Sequence, residues 1–110
     1  KGVTQDDAKA VEWYRKAAEQ GDATAQNNLG SMYYQGKGVT QDDAKAVEWV
    51  RKAAEQGDAI AQNNLAYMYA NGKGVTQDRT KAIEWVCKAA AQNIDDAKKQ
   101  LSALNATCTK

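Results

Sequence analysis

Apolar residues recur along this chain every three to four positions, which is the period of amphipathic helices. Between Gln41 and Gln56, small and aliphatic residues recur on one face while charged residues occupy the opposite face. This pattern predicts a helix whose buried face consists of Ala46, Val47, Val50, Ala53 and Ala54. A second helix is predicted between Asp58 and Gly72, with a core stripe of Ala61, Leu65, Met68 and Tyr69.

Short polar residues and glycines mark the predicted ends of both helices. Residues 40–43, Thr-Gln-Asp-Asp, provide N-cap side chains and negative charge where the first helix begins. Gly57 is suited to the left-handed backbone that ends this helix, and Asp58 is suited to cap the second. Residues 72–74, Gly-Lys-Gly, then end the second helix and start a turn.

The same helix pair occurs three times with a period of 36 residues. Residues 3–38, 39–74 and 75–110 form three copies in one array, 1–110, and the last copy has diverged. A fixed period of this length predicts an all-α solenoid of about six helices, because each unit must bury its apolar face against its neighbours. The final helix, at about 94–106, is predicted to cap the stack. Because the chain begins inside a linker, we expect it to be part of a longer array.

One position of the second helix carries a small residue in every copy. Gly30 in the first copy corresponds to Ala66 and Ser102 in the others. Glycine inside a helix costs about 1 kcal/mol relative to alanine, so a packing reason is expected. We therefore predict that another helix approaches closely at this position.

Residues 25–59 closely resemble the Sel-1-like repeat, a relative of the tetratricopeptide repeat. The resemblance implies a right-handed superhelix of antiparallel helix pairs, a bacterial origin, and an adaptor or scaffold role without shared catalytic residues. It also implies that the helix containing Leu29 lines a concave groove and that the helix containing Trp49 lies on the convex side. The matching residues are Ala25, Leu29, Gly30, Met32, Tyr33, the linker 36–39, Asp42, Lys45, Ala46, Trp49, Ala53, Ala54 and Gly57.

The first two copies differ at only six of 36 positions, and four of these differences lie on one side of the groove helix. Helical geometry places that side opposite the core stripe. Asparagine can bind a peptide backbone and tyrosine suits interfaces, so we predict that this side binds a peptide segment or partner protein. The alternative is that exposed positions drifted freely after duplication. The predicted groove residues are Thr24, Asn27, Ser31, Tyr34, Gln35, Ile60, Asn63, Tyr67 and Asn71.

Other recurring residues have simpler interpretations. The tryptophans recur at the repeat period, at positions 13, 49 and 85, and are predicted to pack against the linker that follows each of them. Asn28 and Asn64 border the predicted groove, and they either contribute to it or hydrogen-bond a neighbouring backbone. The charged outer face is expected to be a solvated surface.

Two cysteines occur in the diverged third copy. Cys87 and Cys108 stand where the second copy has Arg51 and Gly72, which suggests a bridge that holds the last helix pair together. A straight helix would carry Cys108 about 13 Å too far, so a bridge requires the helix to end near Asn105 and the tail to fold back. Free thiols are the alternative. A disulfide would favour a periplasmic or secreted location over the cytoplasm.

The composition argues against several classes of function. A net charge of +1 does not indicate the basic surface that nucleic-acid binding requires. No apolar run is long enough for membrane insertion. The chain has no histidine, no Ser-x-x-Lys motif and no phosphate-binding glycine loop, so we expect neither an enzyme nor a metal or other cofactor. We expect a monomer. Two further possibilities are a purely structural C-terminal cap of a longer array and contact with a cell-wall glycan or peptide.

Overall fold

The structure, a computed structural model, describes residues 3–108, with side chains described from Asp7 onward. Helices account for most of this range, no strand occurs within it, and short loops connect the helices. The predicted all-α class and the six helices are therefore confirmed. The helices are α1 (Val3–Glu19), α2 (Ala23–Gln35), α3 (Asp43–Glu55), α4 (Ala59–Asn71), α5 (Arg79–Ala90) and α6 (Asp95–Ala103).

Aspartates begin the central helices, as the sequence indicates. Asp22, Asp42, Asp58 and Asp78 each accept a hydrogen bond, 2.9–3.1 Å long, from the backbone N–H three residues further along. Each carboxylate satisfies one of the amide groups that a helix start leaves without a partner. The last helix differs, because its N-cap residue, Ile94, has no side chain that could accept such a bond.

The helices form an elongated stack with overall dimensions of 45 × 23 × 22 Å. Each helix packs on the helices before and after it in the chain, and α4 also packs on α6. This arrangement is the predicted solenoid, with α1, α3 and α5 as outer helices and α2, α4 and α6 as inner helices. The predicted core residues of α3 and α4 are all buried: Ala46, Val47, Val50, Ala53, Ala54, Ala61, Leu65, Met68 and Tyr69.

Gly30 lies at a close approach between α2 and α3. A Cβ atom at this residue would be 2.6 Å from the Cγ2 atom of Val50 and 2.9 Å from the carbonyl oxygen of Ala46. Both distances are shorter than ordinary van der Waals contact, and the second involves backbone that cannot rotate away. The predicted close approach is confirmed, and it explains why glycine is tolerated inside a helix here.

The glycine linkers connect successive copies. Gly38 and Gly74 have φ values of 74° and 76°, and a side chain at either would overlap the backbone at Asp7 or Asp43, near the start of the preceding outer helix. Linker and outer helix can therefore approach only if the linker residue is glycine. This packing fixes the position of each inner helix relative to its neighbour, and so fixes the surface described next.

Candidate functional site

The inner face is the surface of α2 and α4 on which most differences between the first two copies lie. Ile60 and Tyr67, one helical stripe on α4, are 57% and 47% exposed, although both are large and apolar. Between and beyond them lie half-buried Asn63 and exposed Asn71. On α2, Thr24 and Gln35 are exposed while Ser31 and Tyr34 are half-buried. Eight of the nine predicted groove residues thus retain solvent-accessible surface on this face.

Asn27 is the exception, because its side chain is only 9% exposed. Its Oδ1 atom accepts a hydrogen bond of 3.1 Å from the Nδ2 atom of Asn64 on the next inner helix. The same contact recurs one copy later, where the Nε2 atom of Gln100 donates to Oδ1 of Asn63 at 2.6 Å. Asn64 therefore bonds a neighbouring side chain rather than a neighbouring backbone. These amides hold successive inner helices in register beneath the exposed residues.

Tyr34 and Tyr67 meet where α2 and α4 lie side by side. The pKa of Tyr34 is raised above 10.0 mainly by burial, then by the neighbouring hydroxyl of Tyr67 and by the carboxylate of Asp43. Each of these effects favours the neutral phenol. Around this pair, Asn71 donates to the carbonyl of Tyr67 at 2.9 Å. The inner face therefore contains a polar aromatic cluster contributed by two copies.

A glutamine ladder, which the sequence analysis did not identify, also links successive copies. Gln56 donates to Oε1 of buried Gln26 at 2.8 Å, and Gln26 donates to the carbonyl of Ala18 at 3.1 Å. Gln92 and Gln62 repeat the first of these contacts at 3.1 Å. The sequence did contain a signal for this ladder. Gln26 and Gln62 are polar residues that recur at the 36-residue period among the core positions of the inner helices.

This ladder ends in the third copy. Lys98 stands where Gln26 and Gln62 stand in the first two copies, and its Nζ atom donates to Oδ1 of Asn93 at 3.2 Å. A lysine has no acceptor, so it could not accept from a further glutamine as Gln26 does. The replacement is consistent with α6 acting as a terminal helix.

The three tryptophans do not share one environment. Trp49 and Trp85 are half-buried against the core, with the Nζ atoms of Lys52 and Lys88 5.9 and 5.7 Å from their ring centres. Trp13 is 74% exposed, although a linker follows it as well. The prediction that the following linker covers each tryptophan is therefore wrong. Trp49 and Trp85 differ from Trp13 in having a described copy on their N-terminal side.

The third copy is closed by a disulfide between Cys87 and Cys108, whose Cα atoms are 5.5 Å apart. The sequence analysis required the last helix to end near Asn105 and the tail to fold back, and the structure shows both. The helix α6 ends at Ala103, and Asn105 adopts a left-handed φ of 54° that turns the tail back. Arg79 adds a hydrogen bond from its guanidinium to the carbonyl of Leu104. The tail is thus attached to α5 by a covalent and a polar contact.

The described residues contain neither a metal-binding cluster nor a helix that could cross a membrane. No group of three or more acidic, cysteine or histidine side chains within them could hold a metal ion. None of the six described helices is both long and apolar enough to cross a bilayer.

A family model described as Sel1 repeat matches residues 1–22, 23–58 and 59–94. The second and third of these matches span 36 residues and start at an inner helix, so that each pairs an inner helix with the outer helix that follows it, whereas the first match contains α1 without an inner helix. Copies that begin at residues 3, 39 and 75 instead start at the linker. The two divisions describe the same stack, and no observation on the inner face depends on the choice.

Solved structures of bacterial proteins show the same architecture. A protective antigen of uropathogenic Escherichia coli with an SLR fold has a TM-score of 0.86 and 46% identity over 88% of this chain. This chain spans only 21% of that antigen's length. A Sel1 repeat protein from Oxalobacter formigenes has a TM-score of 0.82 and 44% identity, with 84% of this chain and 70% of that one covered.

The third similar structure is the cysteine-rich protein B of Helicobacter pylori. It has a TM-score of 0.78 and 30% identity, over 83% of this chain and 68% of that one. Comparison with curated protein sequences gives no match. The repeat model and the structural relatives together show that the chain belongs to the Sel1 repeat family, whose members are generally helical scaffolds for protein interaction.

Proposed function

We propose that the chain is an interaction scaffold that binds an extended segment of another protein on its inner face. The observation that carries this proposal is the exposure of Ile60 and Tyr67, two large apolar side chains on one stripe of α4. They are seven residues apart, so they are separated by about 10 Å along the helix. Exposed apolar groups flanked by polar ones are typical of protein interaction surfaces.

The amides around these two side chains suit a peptide backbone. Oδ1 of Asn63 accepts from Gln100, and Nδ2 of Asn71 donates to the carbonyl of Tyr67. Both N–H groups of Asn63, one N–H group of Asn71 and Oδ1 of Asn71 make no hydrogen bond to another described residue, so they are available to a ligand. An extended segment offers both kinds of partner at every residue, so the stripe combines apolar contact with backbone hydrogen bonding.

The comparison of copies also supports this location. Thr24 and Ser31 in the first copy become Ile60 and Tyr67 in the second, while 30 of the 36 positions are unchanged. The first copy therefore supplies substitutions that the fold already accommodates.

The test uses these natural exchanges. Peptides would be selected from a random display library against the chain and measured against the variant Ile60→Thr/Tyr67→Ser by titration calorimetry. We expect affinity to fall at least about tenfold, because two large side chains leave the interface. Glu48→Gln/Glu55→Gln, on the exposed side of α3, is the control and should bind normally. Equal binding by the parent and the double exchange, with unchanged helical content, would refute the proposal.

A structural role for the last helix pair is a second candidate, and it has its own observation. Lys98 ends the glutamine ladder and the Cys87–Cys108 bridge attaches the tail to α5. A cap on α5 and α6 leaves the inner face of α2 and α4 accessible, so both roles are compatible. Truncation after Asn93 would test it: a cap predicts a large loss of stability for the remaining array.

The disulfide also supports a proposal about location. Disulfides persist in the periplasm and outside the cell, whereas cytosolic thiols are kept reduced. We therefore propose that the chain functions in an oxidising compartment. Thiol trapping of the protein in its native cells would test this, and a fully alkylated Cys87–Cys108 pair without prior reduction would contradict it.

A further inference from the structure

Three of the six differences between the first two copies converge at one place on the inner face. The hydrogen bond between Asn27 and Asn64 sets the register of α2 against α4. Two helical turns further along each helix, this register places Tyr34 beside Asn71, with Tyr67 one turn back on the same face. None of these three residues is the same in both copies: Tyr34 corresponds to Ala70, Tyr67 to Ser31 and Asn71 to Gln35.

A carboxylate lies next to this aromatic cluster. Asp43 is the first residue of α3. The segment before it is joined to the end of α2, since the backbone N–H of Asp42 donates to the carbonyl of Tyr33 at 2.9 Å and Nε2 of Gln41 donates to the carbonyl of Tyr34 at 3.0 Å. On its other side, the backbone of Asp43 contacts Gly74 in the linker that follows α4. Asp43 therefore lies where the ends of both inner helices meet.

The Oδ1 atom of Asp43 is buried and has no hydrogen-bond partner among the described residues. The N-cap role at this helix is performed by Asp42, so capping does not account for the carboxylate of Asp43. A buried acceptor without a donor destabilises the free protein, and the effect is larger when the acceptor is charged. Asp43 as a whole is only half-buried, so its carboxylate is accessible from solvent and a ligand there would supply the missing donor.

The combination occurs once in the described residues. At the next boundary, Ala70 replaces the aromatic ring of Tyr34 and Arg79 replaces Asp43, with a positive charge where the first boundary has a negative one. Arg79 there donates to the carbonyl of Leu104. The cluster is therefore a property of one boundary between copies rather than of the repeat.

We infer that the cluster of Asp43, Tyr34 and Tyr67 binds a cationic side chain, arginine or lysine, of the segment held on the inner face. The carboxylate accepts the hydrogen bond that the cation donates, and the exposed ring of Tyr67 offers its negative face to the same charge. This inference rests on the proposed binding of an extended segment. It adds a charge requirement at one position of that segment.

The experiment compares two small probes that differ in charge. N-acetyl-arginine methylamide and its neutral counterpart, N-acetyl-citrulline methylamide, would be titrated into labelled protein and followed by amide chemical shifts. We expect saturable shifts at Tyr34, Asp43 and Tyr67 with the arginine probe only. N-acetyl-lysine methylamide then distinguishes a guanidinium from an ammonium preference.

The matched variants are Asp43→Asn and Asp7→Asn, which change the same position in adjacent copies. Asp43→Asn should weaken arginine binding by about tenfold or more, the effect of losing one charge-assisted hydrogen bond. Asp7→Asn should leave arginine binding unchanged. Tyr67→Ser should weaken arginine binding although the carboxylate of Asp43 is still present. Equal shifts from the citrulline probe, or arginine binding that survives Asp43→Asn, would overturn the inference.

These outcomes separate the inference from the function on which it rests. Library peptides that bind the inner face without any preference for arginine or lysine would refute the cationic site and leave the scaffold role intact. Failure of all peptides to bind the inner face would refute the scaffold role itself. An enrichment of basic residues that disappears with Asp43→Asn would support both.

Discussion

The guanidinium of Arg51 donates a hydrogen bond of 2.7 Å to the hydroxyl of Tyr69, whose ring centre is 6.0 Å from the guanidinium carbon. This contact joins α3 to α4 within the second copy. The third copy has Cys87 and Asn105 at the two equivalent positions, and Cys87 forms its disulfide with Cys108 instead. A polar contact between outer and inner helix has thus been replaced by a covalent bond at the end of the stack.

Removal of that bond should destabilise the protein substantially. The variant Cys87→Ser/Cys108→Ser opens a loop with a sequence separation of 21 residues. Loop-closure entropy predicts a loss of about 3 kcal/mol in the free energy of unfolding. Urea unfolding followed by circular dichroism would measure it. The parent protein in a dithiol reductant should match the variant, and an unchanged midpoint in both would contradict the prediction.

Gly30→Ala should destabilise the protein although alanine favours helices. Helix propensity alone would stabilise the variant by about 1 kcal/mol. The new Cβ would however lie 2.6 Å from the Cγ2 atom of Val50 and 2.9 Å from the Ala46 oxygen. Overpacking of this kind costs about 1–3 kcal/mol, so a net loss in thermal stability is expected. Thr24→Ala, at an exposed position of α2, is the control; a Gly30→Ala variant as stable as Thr24→Ala would show that the helices can separate freely.

The glutamine ladder can be tested with equivalent residues from two copies. Gln56→Ala removes the donor to Oε1 of buried Gln26, and an acceptor left without a partner costs about 1–3 kcal/mol. Gln20→Ala changes the equivalent exposed residue of the first copy and should stay within about 0.5 kcal/mol. Chemical denaturation of both variants gives the comparison. Similar effects at the two positions would mean that the ladder adds nothing beyond helix propensity.

Alkaline pH should weaken the fold through Tyr34. Its folded-state pKa is raised above 10.0, principally by burial and then by Tyr67, so the folded state binds the phenolic proton more tightly than the unfolded chain. The resulting stabilisation is complete below pH 10 and is lost as the pH rises through the raised pKa. Ultraviolet titration of the phenolate and unfolding at several alkaline pH values would detect this. Tyr34→Phe should flatten the dependence, and a steep fall that persists in the variant would assign it to another group.

The sequence was sufficient for the fold because the determining features are local and periodic. Capping aspartates, terminal glycines and the apolar stripe containing Leu65 each act within one helix or its nearest neighbour. The position of Gly30 also indicated a close helix contact correctly. Most of these features recur in the first two copies and some of them in the third, so most of the predictions were supported by more than one instance in the same chain.

The candidate site was less predictable because it depends on the register between inner helices. Asn27 and Asn63 occupy the same position in two copies, yet Asn27 is buried and Asn63 only half-buried. Tyr34 and Tyr67 meet although their separation, 33 residues, is not the repeat period. A period identifies equivalent residues, whereas contacts across copies join residues that are not equivalent. For this reason the amide contacts and the aromatic cluster emerged only from the structure.

The position of the disulfide gives the stack a direction of unfolding. Contacts in a repeat array are made between neighbours, so structure can be lost from an end without disturbing the middle. The covalent loop at Cys87–Cys108 limits the entropy gained when α5 and α6 separate, whereas α1 is held chiefly by noncovalent packing on α2. When these 110 residues are studied alone, α1 should therefore unfold first, with amide hydrogen exchange fastest in α1 and progressively slower towards α5.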